Sequence, residues 1–455
     1  QFPPILTSEC WPMAKKKGGK KGGKKGKKGT DGGVKIVVET TKEMEKEREM
    51  LKTTGLPLGS RFSMKRRAEN IRGEVASARL KTCMLKQGDA LSLRGLALEF
   101  TPEEFGWGVP PFEKMWLGLR ELDLSNNSLF KTAETFDALA CLGSHLVKLD
   151  VSNNALAGEI PPSGGALVAL ENFKASQNQL TAIRPDAAAG WGSLTTLNIN
   201  RNALTGIPAT ANAWRGVRTV DLRCNALTSL EDDACESWTV VEVVKLGANK
   251  LSALPSAGVG FWAELRSLYV TDNKIAELPQ ALANCGKLEI LHCGVNLVKD
   301  LPPELFGSGA LKKMKDLELY RNKIAAFPEE FGIDMPLLEQ LSLSGNAIKA
   351  VPTGLSKCTA LRELHCANNA KLTKLHDELA HLKALTYVNF AGCQAIKALP
   401  AALATAWPSL REIDIRSGAK KEKCKLSAEW VEAAGAMGFL LRGGIPPKKG
   451  KGKKK

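Results

Sequence analysis

The sequence predicts an elongated α/β solenoid built of stacked repeats, and two observations carry that prediction. Eleven asparagines, Asn127, Asn154, Asn178, Asn202, Asn225, Asn249, Asn273, Asn296, Asn322, Asn346 and Asn369, recur at intervals of 23 to 27 residues. Around each the apolar residues keep one order, as in Leu119, Leu122, Leu124, Asn127 and Leu129, or Leu265, Leu268, Val270, Asn273 and Ile275.

The alternation of apolar, variable, apolar has a period of two, so it forms a short strand with one face buried and the other exposed. A unit of ~24 residues cannot bury its apolar side alone, and successive units must stack. Each strand then adds to a parallel sheet along the inside of a curved coil. The asparagine falls where the strand turns into its return segment. A buried amide there both donates to and accepts from neighbouring backbones, and a backbone group left unpartnered would cost about 1–3 kcal/mol.

The return segments carry a second marker, an apolar residue and a proline with another apolar residue three positions on. Examples are Leu278, Pro279 and Leu282, or Val351, Pro352 and Leu355; the marker recurs near Pro255, Pro302, Pro328 and Pro400. Proline lacks an N–H and fixes its own φ, which suits an outer turn and not another strand. The convex side should therefore be loop and short helix, not sheet.

In these features the chain resembles leucine-rich repeat proteins of the intracellular SHOC-2-like and plant Ras-group-related type, over roughly residues 90 to 420. The resemblance implies a horseshoe with short parallel strands on the concave face, helical caps and disordered basic tails. Two ends depart from the pattern. Leu96 stands where the first asparagine would be, and Cys393 and Gly418 occupy that place in the last two units. Thirteen units are expected, or fourteen with the irregular first one. Stacked arrays need their ends covered. Ser63 to Lys86, with Ile71, Val75, Ala78 and Met84, should form the first cap. A helix begun at Ser427, with Trp430, Ala434, Met437 and Leu441 on one stripe and Gly443 and Gly444 ending it, should form the second.

The expected organisation is thus a disordered Lys/Gly-rich tail at 1–34, a charged helical linker at 35–62, an N-terminal helical cap at 63–89, the solenoid at 90–425, a capping helix at 426–443 and a basic tail at 444–455. The net charge of +16 resides in the tails. Nine lysines lie between Lys15 and Lys28 and six between Lys448 and Lys455; removing these 15 from the 64 basic residues leaves 49 against 48 acidic ones. Glycine and lysine without apolar residues cannot offset the entropy of ordering. Residues 1–12 precede Met13 and read as upstream sequence that is not native. They lack the apolar stretch of a signal peptide; Ala14 after Met13 excludes a myristoylation start, and no transmembrane segment of ~18 apolar residues occurs.

Of the 11 cysteines, all but Cys10 and Cys83 are spread through the repeats. Cys293 and Cys366 replace strand leucines, while Cys285 and Cys358 stand three residues before Leu288 and Leu361. Such positions describe small buried hydrophobes, and with no CxxC motif they indicate a reducing, cytoplasmic setting, with a cilium as an alternative. The Asn126-Asn127-Ser128 glycosylation match falls on the asparagine series itself and reads as chance.

Nothing in the sequence supports catalysis, a cofactor or a metal. Gly18, Gly23 and Lys24 approach a phosphate-binding loop, but Lys25 stands where Ser or Thr should be and no strand precedes it. The five histidines show no HExxH spacing. The exposed strand positions are more informative: Tyr269, Tyr320 and Tyr387, all the tyrosines of the chain, fall there with His292 and His365. Asp272, Asp316, Glu318, Arg321, Glu363 and Glu412 are their neighbours, giving an aromatic and mostly acidic strip suited to a protein partner.

Function follows as a non-catalytic interaction scaffold that holds a protein on its concave face, in signalling or ciliary assemblies. The tails would meet an acidic polymer or surface such as tubulin, RNA or an anionic membrane. The competing reading is a nucleic-acid or ribosome-associated protein attached through those lysines. Against it, the tails carry no aromatic residues for base stacking, and the body has no net charge or nucleic-acid module.

Overall fold

The computed structural model describes residues 75–76, 78–80, 82–83, 88–99, 118–307, 309–417 and 424–447. The expected amino-terminal tail and linker, the carboxyl-terminal tail from residue 448 on, most of the first cap including Ile71 and Met84, and Gly418 lie outside these residues. Within them the repeats stack into one parallel sheet of 15 strands, taken in chain order from Ala90–Ser92 to Leu440–Arg442. Each strand has three residues and places its middle apolar side chain inward. The register is constant: Leu268 pairs with Leu291, Leu291 with Leu317, and Leu317 with Leu341. These leucines are fully buried. One contiguous apolar core runs the length of the stack.

The asparagine series forms the hydrogen-bonded ladder that its period required. Asn273 is representative: its Nδ2 donates to Leu246 O and Val270 O, both at 3.0 Å, and its Oδ1 accepts from Leu251 N at 3.0 Å. Each amide thus bonds its own turn and the preceding repeat. At the next ladder position beyond Asn369, the Cys393 thiol donates to Cys366 O at 3.1 Å, so it keeps the donor half of the contact. The residue before each of the eleven asparagines has φ between 52° and 69°, the left-handed region, and glycine fills that place only at Gly345.

A second ladder was not anticipated. Trp191, Trp214, Trp238 and Trp262 are fully buried in the return segments and stack at centroid separations of 6.0, 6.0 and 6.1 Å. Each indole N–H donates to a carbonyl one repeat back, Gly164, Ala188, Ala211 and Cys235 in turn. Cys285 and Cys358 occupy the same place in later repeats and donate to Val259 O and Gly332 O. The signal was legible, because the tryptophans share the asparagine period.

Most returns are short helices, such as Gln280–Asn284 and Thr353–Lys357, entered directly after Pro279 and Pro352. Two returns correct the expectation that none would form sheet. Ala157–Ile160 pairs in parallel with Gln179–Ile183. In both segments the proline comes only after the extended stretch, at Pro161 and Pro185, so alternating side chains can be buried first and the backbones pair.

The carboxyl end also differs. The helix spans Ala428–Met437 and stops at Gly438, whose φ is 73°, instead of continuing to residue 443. Ser427 holds the position before the helix without a capping side-chain bond. Leu441 leaves the expected stripe for the last strand, where it pairs with Ile413 as the next middle residue of the sheet. A glycine in the left-handed region terminates a helix at little steric cost and lets the chain turn back onto the exposed edge. Trp430 is fully buried beside Trp407, its indole N–H donating to Pro400 O at 3.0 Å.

Candidate functional site on the concave face

Because every strand carries its outer residues in the same register, side chains 23 to 26 positions apart in sequence become neighbours on the inner wall. One row reads Lys245, Tyr269, His292, Glu318, Ser342, His365 and Asn389. The adjoining row reads Ser267, Ile290, Asp316, Gln340, Glu363, Tyr387 and Glu412. At about 4.8 Å per strand, Tyr269 and Tyr387 stand roughly 24 Å apart.

His292 is the centre of the first group. Its Nε2 lies 2.7 Å from Asp316 Oδ2 and its Nδ1 3.5 Å from Glu318 Oε2. The Tyr269 ring meets the imidazole edge-on at 5.0 Å, and Lys245 Nζ lies 5.6 Å from the centre of the Tyr269 ring on its other side. Burial opposes the charged imidazole, but the Asp316 hydrogen bond and the charges of Glu318 and Asp316 outweigh it and raise the His292 pKa. Burial raises Glu318 above the usual carboxylate range, with Asp316 adding to it while His292 and His365 oppose it. Tyr320 is raised as well, by burial and then by Glu318.

The second group lies on strands Glu363–His365 and Tyr387–Asn389. His365 Nε2 is 3.1 Å from Glu363 Oε2, and its ring is 5.1 Å from that of Tyr387. The Tyr387 hydroxyl accepts from Asn389 Nδ2 at 3.3 Å. Burial raises the Tyr387 pKa, with the charges of Glu412 and Asp414 adding to it.

The nine residues expected to bind divide by position. Tyr269, His292, Asp316, Glu318, His365 and Tyr387 lie on the strands and are half-buried. Asp272, Tyr320 and Arg321 lie beyond the strand ends, Asp272 and Arg321 as exposed turn residues with φ of 60° and 52°. Tyr320 returns to the wall because its neighbour across the sheet is Gly294: a Cβ there would collide with the phenol ring. Sequence reasoning passed over Gly294, Lys245 and Asn389. The register supplies them, since each sits one repeat from a residue already singled out.

Family models described as leucine-rich repeats match residues 118–142, 145–167, 215–275 and 336–383. Among solved structures, a leucine-rich repeat protein of Leptospira interrogans is similar with a TM-score of 0.57 and 22% identity, covering 80% of this chain and 98% of that one. The chain is a leucine-rich repeat solenoid. The functional domain of InlJ from Listeria monocytogenes is similar with a TM-score of 0.58 and 19% identity over 75% of this chain and 64% of that one. The plant peptide hormone receptor RGFR1, in its complex with RGF2, gives 0.55 and 20% over 74% and 63%. In sequence, the mouse leucine-rich repeat serine/threonine-protein kinase 1 is 26% identical over 396 residues; the match covers 79% of this chain and only 18% of that kinase. Leucine-rich repeat domains generally mediate protein–protein interaction. No described helix of this solenoid is long and apolar enough to cross a membrane.

Proposed function

We propose that this leucine-rich repeat solenoid is a non-catalytic intracellular scaffold whose concave face binds a protein partner. The observation that carries the reading is the gathering of Tyr269, His292, His365 and Tyr387, with Asp316, Glu318 and Glu363, on five of the six strands between Ser267 and Asn389, and of Tyr320 just past the end of one of them. Tyrosine offers rigid apolar area with a polar tip, and such anchors dominate protein interfaces. The carboxylates favour a basic surface on the partner and exclude an acidic one. The structures of RGFR1 with RGF2 and of Drosophila Toll with Spatzle are relatives in fold whose names record a bound protein ligand, which supports the same use here.

The lysine-rich tails tether the complex to an acidic surface, and the SHOC-2-like resemblance favours a place in a signalling assembly. Asp272 and Arg321 form the rim of the interface. The test is capture from cell extract by the wild-type chain and by the variant Tyr269→Ala, His292→Ala, Tyr320→Ala, each checked for folding by circular dichroism and thermal melting. Loss of a saturable partner with folding intact is expected. Equal capture by the two proteins would dismiss this surface. Survival of RNA binding after deletion of both tails would make the body a nucleic-acid reader instead.

A further inference from the structure

Four of the concave carboxylates pair with a lysine or arginine. Glu121 pairs with Lys148, Asp221 with Arg223, Glu412 with Arg442 and Asp414 with Arg416. Asp316 and Glu318 differ: among the described residues, the ion pairs of both are with His292 alone. Two carboxylates on one strand, two residues apart and facing the same side, therefore share one imidazole. Their side chains are 25% and 32% exposed and that of His292 is 21%, so the group is sheltered from bulk water yet open to a small ion.

One ring nitrogen of His292 and one oxygen from each of Asp316 and Glu318 lie within 4.8 Å of one another. Donors around a tetrahedral ion at ~2.0–2.2 Å stand roughly 3.4 Å apart, within reach of side-chain rotation alone. We propose that His292, Asp316 and Glu318 form a binding site for a divalent transition-metal ion of the zinc class. One imidazole nitrogen with two carboxylate oxygens suits zinc and its neighbours; magnesium and calcium prefer oxygen alone. The backbone is already arranged for it, because the parallel register sets His292 directly opposite Glu318 and Ile290 opposite Asp316.

The surroundings complete the case. Tyr269 closes one side of the imidazole. Tyr320, seated over Gly294, walls the side beyond Glu318. A low-dielectric wall strengthens the attraction between the ion and its carboxylates. Three protein donors leave a fourth position open, as in zinc sites that keep water or accept an outside ligand. On this face the outside donor would belong to whatever the scaffold holds, so the ion would add a directional bond to a surface otherwise made of rings and carboxylates.

The experiment is calorimetric titration of the full chain with zinc chloride at pH 7.5, after dialysis against chelating resin, for the wild type and for His292→Ala, Glu318→Gln and Glu363→Gln. The expected result is saturable uptake of one ion that falls at least tenfold in affinity in His292→Ala and in Glu318→Gln. Glu363→Gln, which alters the neighbouring His365 pair, should bind as the wild type does. Added zinc should also raise the melting temperature of the wild type and not that of His292→Ala. Uptake that is unchanged in His292→Ala, or no saturable uptake by the wild type, would overturn the assignment. Partner capture is not read here, so a failed metal site leaves the binding surface to be judged by its own test.

Discussion

Tyr320 lies across the space that a side chain at Gly294 would occupy, one strand away on the inner wall. The place of that ring in the aromatic strip therefore depends on a glycine. Gly294 has no left-handed φ to justify it, so room for the ring is what the position requires.

Gly294→Ala separates site from fold. The colliding atoms belong to the ring of a side chain that can swing outward, so the cost in stability should be about 1–2 kcal/mol. Partner capture should fall as far as in Tyr320→Ala. Thermal melting and capture assays on the two variants check it; full capture by Gly294→Ala would show that the seated ring is not used.

Asn273→Leu should be far more damaging than any exposed neighbour. It leaves Leu251 N without its partner, at about 1–3 kcal/mol, and removes one of the two amide donors on Leu246 O and on Val270 O, which keep Asn249 and Asn296. Urea denaturation should show a loss of about 1–3 kcal/mol, against under ~0.5 kcal/mol for Lys274→Ala on the adjoining exposed position.

Val295 precedes ladder residue Asn296 with φ of 53°, a conformation that a β-branched side chain tolerates poorly. Val295→Asn should stabilise the protein by ~1 kcal/mol, because asparagine accepts the left-handed region by bonding locally. A rise in melting temperature is expected. A fall would mean that Val295 makes apolar contacts worth more than its strain.

Asp232 joins two repeats through its carboxylate, which accepts from Gly258 N at 2.6 Å, Ala257 N at 2.9 Å and Ser256 Oγ at 3.1 Å. The Gly258 bond is the largest cause holding its pKa below 3.8, against a smaller opposing effect of burial. A depressed carboxylate stabilises the fold above its unfolded pKa, and that contribution is lost as pH falls through the folded value. Asp232→Asn should lower the melting temperature at pH 7 and flatten its decline below pH 4. Parallel curves for the two proteins across that range would refute the linkage.

Trp238→Phe tests the second ladder. Phenylalanine keeps the stack and removes the N–H that reaches Ala211 O, which keeps the Trp214 N bond alone. A loss of about 0.5–1.5 kcal/mol in chemical denaturation is expected.

How much was legible follows from which interactions repeat. The Leu-x-Leu strands and the asparagine ladder were readable because each unit restates the same demand: Asn249, one repeat before Asn273, meets the equivalent partners Leu222 O, Leu246 O and Leu227 N. The tryptophan ladder was equally periodic and was overlooked among the variable return segments. The paired strands at 157–160 and 179–183 were missed because proline was taken to begin each return, whereas here it closes the extended stretch. The last strand was hidden because Leu441 continues a helical spacing that Gly438 interrupts.

The sequence by itself determined the stacked parallel strands, their buried faces and the rows of residues turned inward, since period and alternation depend on local chemistry alone. Only the tertiary structure decided that His292 stands between Asp316 and Glu318, that Tyr320 rests over Gly294, and that the helix after Ser427 ends in time to add one more strand. Those are contacts between repeats. They depend on side-chain size and direction across a strand boundary, which no spacing along the chain records.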